Sequence, residues 1–463
     1  MHETSAAAST FSMALAALIF VITYVVIMTE RVNRAIVALL SAGLMIFFGI
    51  LNQEAAIRGV DFNTIGLLIG MMVIVAITRQ SGVFQYLAIW SAKKVNASPW
   101  GILAMLSVVT AVVSAFLDNV TTVLLIVPVA LLITEELKVK AYPYLFSMII
   151  SSNIGGTATL IGDPPNIMIG SAIGLTFNDF VVNLAPVIIV VMATTLIPIY
   201  LIWGRNLKAA PEDRKRVMDF NEREAITDPA LLKKCLAVIG VVVLSFVFAR
   251  FLGLEAATIG LFGAAALLLL QCWPHDADEQ SKLVTHAFTE AEWITIFFFV
   301  GLFIVVHGLD STGLLKLLAD HLLALTGGDL NATTMTILWS SAVLSAFVDN
   351  IPFVATMIPL IKAMAPTFGG PEGLMPLWWA LSLGACLGGN GTLIGASANL
   401  VVAGFAERAG QPIRFVPFLL TAFPMMLMSV AICTVYLYWR YLLSLIHISE
   451  PTRRTPISYA VFC

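Results

Sequence analysis

Asp118, Asn119 and Thr121 sit in the apolar stretch "SAFLDNVTTVLLIVP" (114–128), and Asp349 and Asn350 sit in "SAFVDNIPFVATMIP" (345–359). A carboxylate kept at membrane depth costs at least ~2.5 kcal/mol on insertion scales, so it faces a cavity or a partner. Two other stretches carry polar groups among glycines. "GGTATLIGDPPN" (155–166) supplies Gly156, Thr157, Thr159, Asp163 and Asn166, with Asn153 just before it; "GGNGTLIGASAN" (388–399) supplies Gly389, Asn390, Thr392, Ser397 and Asn399. Glycine and proline loosen a helix and free its backbone groups. Non-helical backbone at membrane depth survives only when it is buried in protein or lines a wet cavity. Carboxylate, amide, hydroxyl and carbonyl oxygens are hard ligands that suit protons and small cations. Sodium at the Asp118/Asn119 and Asp349/Asn350 tips is the expectation, each tip facing the broken stretch of its own half as one of two separate polar clusters.

Plainer readings compete. Asp118 and Asp349 would also serve as helix caps, a role that Asn fills about equally well. Asp163 precedes Pro-Pro, which favours extended backbone. His307 lies near a span end and reads as an interhelical hydrogen-bonding group. Cys386 reads as a packing group.

The elements that must position these residues are membrane spans. The chain has 463 residues, 59% hydrophobic and only 11% charged, against about 25% charged in soluble proteins. Apolar runs lie near 11–28, 32–51, 62–79, 144–174, 181–203, 232–250, 255–272, 291–308, 376–406 and 415–442. Regions 99–134 and 332–364 hold the Asp-Asn pairs and are broken in the middle.

The chain is a tandem duplication. Gly70 and Gly301, Gly82 and Gly313, and Asp118 and Asp349 are each 231 residues apart, and the glycine-rich stretches are 233 apart. An odd number of crossings per half makes the halves insert in opposite directions, a transporter signature. The expected fold is therefore an all-α polytopic membrane protein of two inverted-topology repeats. Each repeat has five transmembrane helices plus one re-entrant hairpin, with broken helices at the transport site. The first repeat is 11–203, a polar and exposed cytoplasmic linker loop covers 204–231, and the second repeat is 232–442. The tail 443–463 lacks a repeat counterpart and reads as a non-native or disordered appendage. Basic residues such as Arg31, Arg34, Lys93, Lys94 and Lys138 gather on one side, which places both termini outside the cytoplasm.

The net charge of -3 argues against a nucleic-acid partner, and the five cysteines lack metal or redox spacing. No glycine-rich phosphate loop with its lysine is present. The chain reads as a transporter rather than an enzyme and needs no cofactor beyond a coupling ion, H+ or Na+. A separate ATPase partner stays compatible with the sequence.

The motif "SAFLDNVTTVLLIVP" followed by "NIGGTATLIGDPPN" resembles the ArsB/NhaD/P-protein branch of the ion transporter superfamily, over nearly the whole chain. The resemblance implies a scaffold and a transport domain in each protomer of a homodimer, and a small inorganic substrate held between hairpin tips and unwound helices. It implies residence in a lipid bilayer, here a bacterial inner membrane. More distant symporters of the superfamily carry Ser-Asn-Thr at the tip where this chain has Leu117-Asp118-Asn119 and Val348-Asp349-Asn350, and the two acids disfavour an anionic substrate. The leading expectation is proton-coupled arsenite or antimonite efflux. Sodium/proton antiport is the alternative. An anion transporter, channel or scaffold is a weaker one.

Overall fold

The computed structural model describes residues 2–29, 31–273 and 275–443. The expected tail lies outside them except for Leu443. Among the described residues, seven helices are long and apolar enough to cross a membrane, and four shorter apolar helices accompany them.

The principal helices fall into two matching series. The first is α1 (His2–Met28), α2 (Arg34–Phe47), α3 (Phe62–Arg79), α4 (Val83–Lys94), α5 (Pro99–Ser114), α6 (Asn119–Glu136), α7 (Tyr142–Thr157), α8 (Pro164–Ile173) and α9 (Ala185–Ile202). The second is α10 (Pro229–Val247), α11 (Ala256–Cys272), α12 (Trp293–Ser311), α13 (Leu314–Leu325), α14 (Leu330–Phe347), α15 (Asn350–Ala363), α16 (Met375–Gly388), α17 (Ser397–Arg408) and α18 (Phe415–Leu437). Each helix of the first series has its counterpart nine labels on. Gly82 and Gly313 open α4 and α13 with φ of 78° and 80°, a left-handed backbone that favours glycine. Pro128 and Pro359 lie inside α6 and α15.

The halves are interlaced. α2 packs along α12 and α11 along α3, so each half lends its second helix to the other. Both seams need small residues: a Cβ on Gly70 would lie 2.4 Å from the Gly260 carbonyl carbon, and one on Gly301 would lie 2.5 Å from that of Ala38. The counterparts α3 and α12 run antiparallel. Arg79 at the end of α3 pairs with Glu290 just before α12 at 3.0 Å. Asp61 at the start of α3 shares a cavity with His307 near the end of α12. That is the arrangement an inverted repeat requires.

The spans expected at 144–174 and 376–406 are each two helices, α7 with α8 and α16 with α17. Asp163 precedes Pro164 and Pro165 and is extended (φ -145°, ψ 133°), as a residue before proline should be. Ala396 adopts almost the same backbone (φ -150°, ψ 143°) without a following proline. There the break is held by close packing, since a Cβ on Gly395 would lie 2.8 Å from the Gly389 carbonyl oxygen.

The 204–231 linker is more structured than an exposed loop. It contains the helix Pro211–Met218, and Val217 is fully buried. Lys93 pairs with Glu222 at 2.6 Å and Lys138 with Asp213 at 3.3 Å, and Thr227 N donates to Ser81 O at 3.1 Å. The linker is thereby pinned to the first half.

Candidate functional site

Four helices begin at one place in the middle of the protein: α6 at Asn119, α8 at Pro164, α15 at Asn350 and α17 at Ser397. α8 and α15 run from there to a cavity of about 380 Å³ lined by Ser171, Pro359, Lys362 and His307. α6 runs the other way, toward the pinned linker, where Glu136 meets Arg216 at 3.3 Å. Caps set the two tips. Asp118 accepts from Thr121 N at 2.8 Å and from the Thr121 hydroxyl. Asp349 accepts from Ile351 N at 3.0 Å.

Each tip is laced to its own broken stretch in the same way. Ser114 Oγ donates to Ser152 O, and Ser345 Oγ to Ala385 O, both at 2.7 Å. Thr159 donates to Ala115 O and Thr392 to Ala346 O. Asn166 Nδ2 donates to the carbonyls of Thr157 (3.1 Å) and Thr159 (2.9 Å), and Asn399 Nδ2 to those of Gly389 and Thr392 (both 2.8 Å). Thr157 Oγ1 bonds back to Asn153 O at 2.7 Å. Gly156 lets the chain fold on itself, since its Cβ would lie 2.5 Å from Gly162 O. The side chains of Thr157, Thr159, Thr392, Asn166 and Asn399 are therefore used to build the breaks. None of them lines the small cavity where the four helices begin.

The two expected clusters are in fact one. Asn119 Nδ2 donates to Asn153 Oδ1 at 3.0 Å, and Asn153 Nδ2 donates to both Asn390 Oδ1 and Asn399 Oδ1 at 2.9 Å. Asn350 of the second tip donates to Asp163 Oδ1, in the first half, at 3.3 Å. The second tip thus faces both broken stretches. The other oxygen of Asp163, a fully buried residue, has no close hydrogen-bond donor among the described residues, and the Cys386 thiol stands beside the carboxyl group. Cys386 donates to Asn166 Oδ1 at 3.6 Å, so it is packed into this network. His307 packs instead against Gly59, whose Cβ would lie 2.7 Å from the His307 Cβ.

Asp118, Asn119, Asp163 and Asn350 line a central cavity of only about 20 Å³ together with Ser397, Arg34, Glu292 and Thr295. The last three were not singled out in the sequence. Arg34 Nη1 lies 3.4 Å from Asp349 Oδ2 and donates to Ser397 Oγ at 2.5 Å, while Nη2 donates to Thr295 Oγ1 at 3.0 Å. Thr295 Oγ1 donates to Glu292 at 3.0 Å. A signal for this pair was available: Glu292 and Thr295 stand 231 residues after Asp61 and Thr64, which make the same hydrogen bond at 2.6 Å. Asp349 and Arg34 also line a second cavity of about 260 Å³, on the side of the α1–α2 loop.

Comparison with known proteins agrees with this architecture. The family model described as a citrate transporter matches residues 24–384. An uncharacterized transporter of Mycobacterium tuberculosis is 42% identical over 428 residues, which cover 91% of this chain and 97% of that protein. The human P protein is 32% identical over 498 residues; the match covers 89% of this chain and 58% of that longer protein. It is a namesake of the branch that the sequence motifs resemble. The crystal structure of the Alcanivorax borkumensis YdaH transporter, described as having an unusual topology, matches with a TM-score of 0.55 over 88% of this chain and 90% of its own, at 15% identity. That likeness concerns the fold alone. The chain, helical throughout its regular elements among the described residues, with apolar spans, two broken helices and a buried polar site, is a membrane transporter and belongs to the citrate transporter family.

Proposed function

We propose that the protein is a secondary transporter that exchanges a small cation, sodium in the first instance, for protons. One observation carries the reading. Asp118, Asp163 and Glu292 line the central cavity and Asp349 stands at its rim, with Arg34 as the one cationic side chain among the lining residues. Four carboxyl groups against one guanidinium leave an excess of acid. Like charges that share a site tolerate one another only when protons or cations are held between them.

Size points the same way. About 20 Å³ is room for one water-sized species, the smallest cavity that holds a water being roughly 10–15 Å³. A dehydrated sodium ion fits such a space, whereas arsenous acid with its hydroxyl groups is larger. The citrate of the family description would have to enter with its charge neutralised. In this mechanism protons and sodium compete for the same carboxylates, and Asn119 and Asn350 add neutral oxygen ligands. The unpaired oxygen of Asp163 is the open acceptor around which either ion is held.

The test is flux in proteoliposomes that carry a pH-sensitive dye. An imposed sodium gradient should drive saturable proton movement in the opposite direction. Arsenite and citrate are run in parallel arms. Uptake of either one, with no sodium-dependent proton movement at any pH, would overturn the proposal in favour of that substrate.

A further inference from the structure

We infer that Arg34 is a built-in gate: its guanidinium and an incoming cation compete for Asp349, and its withdrawal opens the passage between the wide cavity and the central one. The residue stands where such a gate must. Arg34 and Ser397 line both the 260 Å³ cavity and the 20 Å³ cavity, so the Arg34–Ser397 contact is the partition between them. Arg34 and Asp349 keep 25% and 17% of their side chains exposed, so the pair is reachable from the wide side.

The bonding is suited to release. The direct contact with Asp349 is a single long one at 3.4 Å, and Ser397 bridges the two by donating to Asp349 Oδ2 at 2.9 Å. It lacks the bidentate geometry that makes an arginine–carboxylate pair strong. On the other side the guanidinium is held by Thr295 Oγ1 at 3.0 Å and lies over the Phe298 ring, 5.1 Å from its centroid. Those anchors belong to α12, against which α2 packs, while Asp349 and Ser397 belong to the tip and the broken helix. Arg34 can therefore stay docked on α12 while it lets go of Asp349.

The device is one-sided. Ala38 and Gly260 are counterparts in the two seams, 222 residues apart, and the same offset takes Arg34 to Ala256, each the first residue of its helix. Asp118, the counterpart of Asp349, accepts from Thr121 and has no ion pair among the described residues. Only the Asp349 side of the site carries a tethered cation. The inference rests on the cation-exchange reading for what displaces Arg34, though not for the partition itself.

Accessibility labelling tests it. Ile351, 4% exposed, lines the small cavity and is absent from the wall of the wide one. Ile351→Cys is treated in liposomes with a small cationic methanethiosulfonate, and the signal of the unsubstituted chain is subtracted. Arg34→Ala should raise the modification rate by about tenfold, the scale of ordinary coupling between two sites. Arg34→Lys, which keeps a cation within reach of Asp349, should stay close to the parent rate and shows that a change here is tolerated. Sodium should raise the rate when Arg34 is intact and add nothing to Arg34→Ala. An unchanged rate in Arg34→Ala overturns the gate, and so does an equal rise in both variants, which would mean mere loosening. Should the parent show no sodium–proton exchange at all, the proposed function fails, while the labelling rates of the two Arg34 variants still decide the partition.

Discussion

Asn153 donates its amide to Asn390 at 2.9 Å, a bond between residues 237 positions apart that ties the broken helix of one half to that of the other. The same amide group serves Asn399, and Asn153 Oδ1 accepts from Asn119. Asn153→Ala would strand three buried groups at once. Interhelical hydrogen bonds in membrane proteins contribute about 0.6–1.7 kcal/mol each, so the loss of three should total roughly 2–5 kcal/mol. Thermal unfolding in detergent should show a clear fall in midpoint. An unchanged midpoint would mean that the network is replaceable.

Asp118→Asn and Asp349→Asn separate capping from ion exchange. Asn caps a helix about as well as Asp, so both variants should reach the membrane folded. Neither can carry a proton on that side chain, and flux should drop by about a hundredfold or more, the usual range for loss of a proton-transferring group. Wild-type flux and pH dependence in both variants would show that these acids only cap.

The seams between α5 and α7 and between α14 and α16 admit no side chain where they cross. A Cβ on Gly155 would lie 2.0 Å from Ala111 O, and one on Gly388 would lie 2.5 Å from Ala342 O. Overpacking costs about 1–3 kcal/mol, so Gly155→Ala and Gly388→Ala should both lower stability, the former more. Gly404, in α17, has open space around it. Gly404→Ala should be neutral or gain up to about 1 kcal/mol. Equal midpoints for all three would contradict the seams.

An inverted repeat requires the 204–231 linker and the 365–375 loop to lie on opposite faces. Single cysteines at 215 and 370 should react with an impermeant thiol reagent from opposite sides of sealed vesicles. Reaction of both from one side would refute the inversion.

The linker should loosen in acid. The hydrogen bond from Lys93 holds the Glu222 carboxyl below its ordinary value. A depressed carboxyl contributes docking stability at pH above its unfolded value, and the contribution is lost as pH falls through the lowered folded value. Limited proteolysis at the linker should therefore accelerate in acid. Glu222→Gln should cleave quickly at every pH and lose that dependence. A Glu222→Gln profile identical to the parent's would remove Glu222 from the docking.

The paired motifs were readable because each is short. Acids in apolar runs and glycines beside prolines sit within short windows of sequence, and a constant offset needs only the positions of such windows. Arg34 looked like one more basic residue in a loop, and Glu292 like a charge at a span end. What makes them part of the site is that α2 lies along α12 and that the second tip meets Asp163, and no periodicity encodes which distant helices touch. The short helices of the linker were missed for a related reason. Their charges match a solvated loop, and only the partners Lys93, Lys138 and Ser81 show that they are docked.

The interlaced second helices bear on how such a chain could have arisen. Neither half covers its own seam: Gly70 needs α11 and Gly301 needs α2. A product of one half alone would leave that flank bare, and two copies inserted in opposite directions would close it by exchanging a helix each. Joining two such copies in one chain would make the exchange internal, at an effective concentration in the millimolar range for a short tether. Within one chain the two copies would then be free to differ, as Arg34 and Ala256 do at the first residues of α2 and α11.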